Sequence, residues 1–326
     1  SLIVSIFYIR SINLKSVFVL ILLICPYFFL KDIIFTRPVE HELFKVQIIQ
    51  GNFNKNEKVS LSKTVKRVQD YQTMSMLEPN IELTLWPEST LNELYLIQNK
   101  LKNGFEKLNK KNIMVLLGAY INSNAKVYNA IINPNLKNNI VYSKKHLVPF
   151  SEYMPSLLKI LRPLLPDMFM NNLANDIDKK IIAFKNIALS ASICYELFFV
   201  DELRESIRLS NVLIHVSDLE WLDSSTLIGY LQNLARSLSL QSQKPMLYST
   251  NMGKSSIINE KGEIIKSIEQ QGTSTIFSKI VPYKGNTFYM LYGNAVVFVL
   301  IGFLLIYLGF CTIRLPIKNS LRKEEI

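Results

Sequence analysis

The chain has 326 residues, 49% of them hydrophobic, and a formal net charge of +11. Its lysines and arginines are scattered through Lys-rich and Asn-rich loops rather than gathered in one block. This excludes a nucleic-acid stripe and fits a solvated or headgroup-facing surface. Two of the three cysteines, Cys25 and Cys311, fall inside apolar runs, so the stretch between those runs holds no pair of cysteines to join.

In chain order, Leu2 to Ile9 comes first and reads as the end of an apolar segment. The chain begins at Ser1 rather than Met, so a longer parent is expected. Ser16 to Leu30 is uncharged between Lys15 and Lys31 and predicts a membrane span over about 16–34, with the flanking lysines snorkelling. A cleaved signal peptide is the alternative, although no convincing small-residue cleavage site follows. Residues 1–35 are therefore an N-terminal membrane segment, followed by an extracytoplasmic domain over 36–286.

Within that domain, β-rich runs are expected at Lys45–Ile49, Ile81–Trp86, Ile113–Leu117, Ala130–Asn133, Asn139–Tyr142, Ile187–Ile193, Val212–Val216 and Pro245–Thr250. Amphipathic helical spacing marks Asn56–Met76, Leu91–Asn109 and Ser225–Leu240. The alternation is that of an α/β fold, sheets covered by helices. Thr287 to Ile313 has no charged residue. At helical rise it spans roughly 40 Å against about 30 Å of hydrocarbon, which predicts a C-terminal transmembrane helix over 287–313. The tail 314–326 is basic. With Arg10 and Lys15 before the first span and Arg314, Lys318, Arg322 and Lys323 after the last, both flanks belong in the cytoplasm by the positive-inside rule.

Three strand ends carry candidate chemistry. Ile187–Ile193 runs into Cys194, Tyr195 and Glu196, where a thiol could project into a cleft; a small buried hydrophobe is the alternative. Ile81–Trp86 is expected to stop at Pro87 and deliver Glu88, either a general base or a solvated loop acid. Asn139–Tyr142 leads into Lys144, Lys145 and His146, either an oxyanion-holding cation or a basic surface turn.

Taken together, these ends resemble the Glu, Lys and Cys of the nitrilase superfamily of carbon–nitrogen hydrolases. Within it the chain is similar to the apolipoprotein N-acyltransferase family from about Val46 to Asn294. The matching stretches are Val46-Gln47-Ile48-Ile49-Gln50-Gly51-Asn52, Trp86-Pro87-Glu88-Ser89-Thr90, Tyr142 through Phe150, Cys194-Tyr195-Glu196 and Thr287-Phe288-Tyr289 before Gly293-Asn294. The resemblance implies a nitrilase-type α-β-β-α sandwich flanked by transmembrane helices. It implies Glu88 as base, Lys144 as oxyanion lysine and Cys194 as nucleophile, supported by Glu152, Tyr195, Glu196 and Trp221, with no cofactor and no metal. The stretch Ser217-Asp218-Leu219-Glu220-Trp221 stands where that family usually has Ser-Asn-Asp-Ala-Trp, and Ser151 replaces the usual glycine before Glu152. Fewer N-terminal apolar segments are present than the family usually carries.

The implied reaction is acyl transfer through a Cys194 thioester, from a membrane phospholipid to the N-terminal amine of a diacylglyceryl-cysteine lipoprotein. It implies a monomer in a bacterial inner membrane with its catalytic domain on the periplasmic side. A membrane-tethered amidase and a non-catalytic remnant are the competing readings.

Overall fold

The computed structural model describes residues 33–54, 60–91, 94–137, 139–155, 173–178, 181–222, 225–269, 272–295 and 297–306, with Ile21, Phe28 and Gly309 besides. Most of the expected span 16–34, the end of the expected helix 287–313 and all of the tail 314–326 lie outside these residues. Among the described residues no helix is long and apolar enough to cross a membrane. The chain separates into two compact units, Ser1–Phe35 and Thr36–Ile326, and the architecture below is that of the second.

Its strands are β1 Thr36–Pro38, β2 Phe44–Gln50, β3 Leu83–Leu91, β4 Met114–Ser123, β5 Lys126–Ile132, β6 Ile140–Ser143, β7 Ile182–Phe184, β8 Ile187–Ile193, β9 Val212–Ser217, β10 Met246–Thr250, β11 Ser256–Ile258, β12 Ile264–Ser267, β13 Ser274–Ile280 and β14 Tyr283–Gly285. The helices are α1 Leu61–Met74, α2 Leu94–Lys110, α3 Val200–Leu209, α4 Ser225–Ser242 and α5 Phe288–Tyr292, with a 3-10 turn at Cys194–Phe198. One six-stranded sheet has the order β13-β2-β3-β4-β5-β6 and the other β12-β11-β10-β9-β8-β7. At the centre of each, three strands run parallel: β2, β3 and β4 in the first, β8, β9 and β10 in the second. A separate antiparallel ribbon pairs β1 with β14.

The parallel strands read as continuous apolar runs because both their faces are covered. Between the sheets lie Val46, Ile48, Leu83, Leu85 and Leu116 with Leu189, Ile193, Ile214, Val216 and Leu247, all buried. Behind the first sheet, Val68 and Tyr71 of α1 and Leu101 and Phe105 of α2 cover Val115, Leu117 and Trp86. Behind the second, Leu203 and Ile207 of α3, Leu238 of α4 and Met290 of α5 form the outer layer. Each such side chain fully buried contributes roughly 1.5–3 kcal/mol, and the layers make an α-β-β-α sandwich. Helix α3 shows why these segments stop and start where they do. Asp201 and Glu202 occupy its first turn and Arg208 its last, each charge placed against the end of the helix dipole that favours it.

One expectation is corrected here. Pro87 does not end β3, which continues to Leu91. The ladder to β4 passes from the pair Trp86–Leu117 straight to Leu91–Ala119, so Pro87 to Thr90 bulge out opposite Gly118. A bulge tolerates the proline because the missing N–H has no ladder partner to lose. Trp86 anchors the base of the bulge: it is fully buried, stacks on Tyr71 at 5.0 Å and donates from Nε1 to Ser75 Oγ at 3.0 Å.

Candidate active site

The C-terminal ends of β3, β8 and β9 converge with the end of β6, at the edge of the parallel strands where open α/β sheets bind ligands. Glu88 is carried on the bulge of β3. A Cβ on Gly118 would lie 2.4 Å from the Glu88 Cα and 2.7 Å from the Pro87 carbonyl oxygen, so only a glycine lets the bulge settle onto β4. Ser89, at φ +57°, turns the chain back. Lys144 follows β6 directly and is 1% exposed. Cys194 ends β8 with φ +49°, a left-handed conformation unusual for a residue with a side chain, and opens the 3-10 turn.

Glu88, Lys144, Cys194 and Glu152 line one cleft of about 460 Å³, together with Tyr120, Ser151, Asp218, Glu220 and Trp221 among others. Lys144 Nζ donates to Glu152 Oε1 at 2.9 Å and lies 3.7 Å from Glu88 Oε1. Glu152 Oε2 accepts from the Val148 N–H at 2.8 Å, within the tight turn where Phe150 has φ +66°. Glu88 is held differently: Oε1 accepts from Asn129 Nδ2 at 2.7 Å and Oε2 from the Asp218 N–H at 2.8 Å. The ammonium is thus bonded to Glu152, leaving Glu88 as the carboxylate without a direct ammonium hydrogen bond.

Burial and charge set the protonation states. Burial raises the Glu88 carboxyl above its ordinary value; Lys144 pulls it down and Glu152 pushes it up again. Burial opposes the charge on Lys144, but Glu88, Cys194 and Glu152 together outweigh it and hold the ammonium protonated. Burial, then the Glu88 charge, pushes the Cys194 thiol up to about 12, against the pull of Lys144 and of a hydrogen bond with Ser217. At neutral pH the group is a thiol, and a thiolate forms there only by proton transfer to a neighbouring base.

The remaining expected site residues divide. Tyr195 is half-buried and packs beside His146, Phe198 and Phe199. Trp221 lines the cleft and is 70% exposed, standing as a wall at its mouth. Glu196 is not in the cleft. Its carboxylate accepts from the N–H groups of Lys145, His146 and Ile193 and from the Tyr142 hydroxyl, which ties the strand end carrying Cys194 to the one carrying Lys144. Lys145 turns outward to pair with Asp178.

Two features were not found by sequence reasoning. Asn129, on β5, is fully buried, and its Nδ2 donates to both Glu88 and Glu152; its signal, a lone amide in an apolar run, is weak. Cys194 also borders a second cavity of about 330 Å³ lined by Phe198, Leu222, Leu227, Leu231, Tyr230 and Trp221 with Tyr248 and His215 at its base. Leu227 and Leu231 were legible as a helical stripe, but not as a cavity wall. Burial, with the Lys144 charge, lowers His215 to about 3, so its ring is neutral.

The chain is similar to several known proteins. The family model described as carbon-nitrogen hydrolase matches residues 45–283. The apolipoprotein N-acyltransferase of Haemophilus influenzae is 31% identical over 283 residues, covering 80% of this chain and 52% of that protein. Those of Pasteurella multocida and Vibrio vulnificus are 30% and 27% identical, covering 85% and 79% of this chain and 56% and 53% of theirs. The chain spans about half the length of these curated relatives. Among solved structures, a Saccharomyces cerevisiae member of branch 10 of the nitrilase superfamily superposes with TM-score 0.53 at 17% identity, covering 74% of this chain and 91% of its own. A carbon–nitrogen hydrolase superfamily protein from Xanthomonas campestris gives 0.54 at 12% identity, covering 78% and 94%. These last two likenesses concern the fold alone.

Proposed function

Since the chain belongs to the carbon–nitrogen hydrolase family, we propose that its Glu88, Lys144 and Cys194 perform acyl transfer, from a membrane phospholipid to the N-terminal amine of a diacylglyceryl-cysteine lipoprotein. Glu88 takes the Cys194 proton as the sulfur attacks an ester carbonyl. The tetrahedral oxyanion is held by the Lys144 ammonium and the Tyr195 N–H, and collapses to a thioester as Glu88 returns the proton to the leaving lysophospholipid oxygen. The neutral fraction of the acceptor's α-amine, with an ordinary pKa near 7.7–8.0, then attacks the thioester. An amide forms as Glu88 takes the amine proton and passes it to the departing sulfur, which restores the thiol.

The observation that carries this reading over a tethered amidase is the apolar cavity opening at Cys194. An amidase cleaving a small polar amide has no use for it, whereas an acyl chain needs an apolar trough beside the nucleophile. Its rim exposes Phe198, Trp221, Leu227 and Tyr230. The exit of the chain agrees. The Leu291 carbonyl accepts from Arg204 in the first half of α3, and Gly293 abuts the same guanidinium, so the uncharged run leaves beside α3, the helix that follows the turn bearing Cys194. Residues 297–306 are helical, uncharged and largely exposed, which supports anchoring by an apolar segment at this end of the domain; an inner-membrane location, a monomer and a site on the periplasmic side are further parts of what we propose.

The test supplies the full chain in detergent with phospholipid labelled in its acyl chains. Label is expected to persist as a thioester until a diacylglyceryl-cysteine peptide is added, and then to appear in an amide. Prompt release as free fatty acid without the peptide would favour a hydrolase, and no labelling under any condition would favour the remnant.

A further inference from the structure

Glu88 is the group on which the proposed chemistry turns, and its surroundings are unusual in how the donors are shared. Five titratable or charged groups face it from other elements: Tyr120 on β4, Lys144 after β6, Glu152 in the following turn, Cys194 at the end of β8 and Asp218 at the end of β9. The nearest cation is bonded to Glu152 rather than to Glu88. The side-chain hydrogen bond that Glu88 does accept comes from Asn129 Nδ2 at 2.7 Å, and the same nitrogen donates to Glu152 Oε1 at 2.9 Å. The Asn129 carbonyl accepts from the Lys144 N–H at 2.8 Å, so this residue touches both carboxylates and the lysine's backbone.

We propose that Asn129 is a positioning residue that divides the work of the two carboxylates: by giving one N–H to each, it holds Glu88 apart from Glu152 and stabilises Glu88 as the anion that accepts the Cys194 proton. This rests on the reading of Glu88 as base. Two carboxylates bound to one ammonium would otherwise compete for it, and the loser would keep its own proton, because like charges this close are not both ionised without further donors. An amide suits the position where a second cation does not. It donates to both oxygens without neutralising either, so Glu88 keeps the negative charge that draws the thiol proton. Asn129 does not line the cleft and acts only through the two carboxylates it holds. Its fully buried place on β5 fixes the geometry from behind.

The test measures the rate of Cys194 alkylation by iodoacetamide against pH, in the full chain with Cys25 and Cys311 replaced by serine so that one thiol reports. The acid limb of that profile reads the protonation of Glu88. In Asn129→Leu the limb is expected to move to higher pH by roughly one to two units, the worth of a lost hydrogen bond to a charged group, while the high-pH plateau stays. Asn129→Ser, which restores a donor, is expected to bring the limb part of the way back. An unmoved limb in an Asn129→Leu protein that still melts cooperatively overturns the proposal. Should that variant fail to fold, Asn129→Ala removes the donor without added bulk, and an unmoved limb there overturns the proposal equally. Glu88→Gln keeps the two failures apart: a wild-type acid limb in that variant would show that Glu88 is not the titrating base, and would sink the underlying reading whatever Asn129 does.

Discussion

At the scale of single residues, the thiol of Cys194 and the carboxyl of Glu88 are both raised by burial, one to about 12 and the other above 4.5. Neither reacts unaided at neutral pH, and each supplies what the other lacks. Acylation by labelled phospholipid should therefore rise with pH through an acid limb lying above pH 4.5, because Glu88 must lose its proton before it can accept another. Glu88→Gln should abolish the limb and slow acylation by about 10²–10⁴-fold. Lys144→Ala leaves the proposed nucleophile but removes one oxyanion donor and strips Glu152 of its ammonium partner, so a loss of about 10²–10³ is expected in both half-reactions. A profile of Lys144→Ala matching wild type in rate would show that the ammonium serves only structure.

At the scale of elements, the bulge of β3 is the piece that aims Glu88, the proposed base, and Gly118 is the clearance it needs. Gly118→Ala places a methyl group within 3 Å of the Glu88 backbone. The variant should fold with a modest loss of stability and lose most of its acylation rate, which single-turnover labelling beside thermal melting would separate. A second element prediction concerns Lys244, buried after α4, whose Nζ donates to the carbonyls of Ile207 and Ser210 at the end of α3. Burial lowers its pKa from 10.5 to about 8. Between those values the unfolded chain binds one proton more than the folded one, so this group makes stability rise with pH across that window, by up to about 1.4 kcal/mol per unit. Relative to Lys244→Met, wild type should gain stability in denaturant melts from pH 8 toward 10.5; parallel pH dependences of the two proteins would contradict the assignment.

The elements also show what was legible in advance. Strand β8 and the parallel core strands announce themselves as short β-branched runs, and β8 falls within the predicted limits because Cys194 leaves the strand conformation there. Pro87 was read by the rule that proline stops a ladder, and the bulge defeated the rule because tertiary packing over Gly118 supplies what the ladder does not. The edge strands β1, β7, β12 and β14 are short, with few apolar residues at regular spacing, and gave no local signal. The motifs point to Glu88, Lys144, Glu152 and Cys194, which line one cleft. Asn129 and the apolar cavity were not legible, since each depends on which side chains the two sheets bring together.

At the scale of the whole molecule, the sandwich leaves two cavities meeting at one sulfur, one rich in carboxylates and one apolar. That division fits the proposed ping-pong transfer, in which chain and headgroup would part at Cys194. The proposed topology has its own test: protease added to intact spheroplasts should digest the domain, and protection until lysis would reverse the orientation and remove the proposed lipoprotein acceptor from reach. The most direct measurement is mass spectrometry of the Cys194 peptide from purified membranes. The account predicts a fatty-acyl adduct on Cys194 that neutral hydroxylamine removes and that vanishes in Glu88→Gln. An unmodified Cys194 peptide from membranes actively supplied with phospholipid, or an acyl group found on another residue, would contradict it.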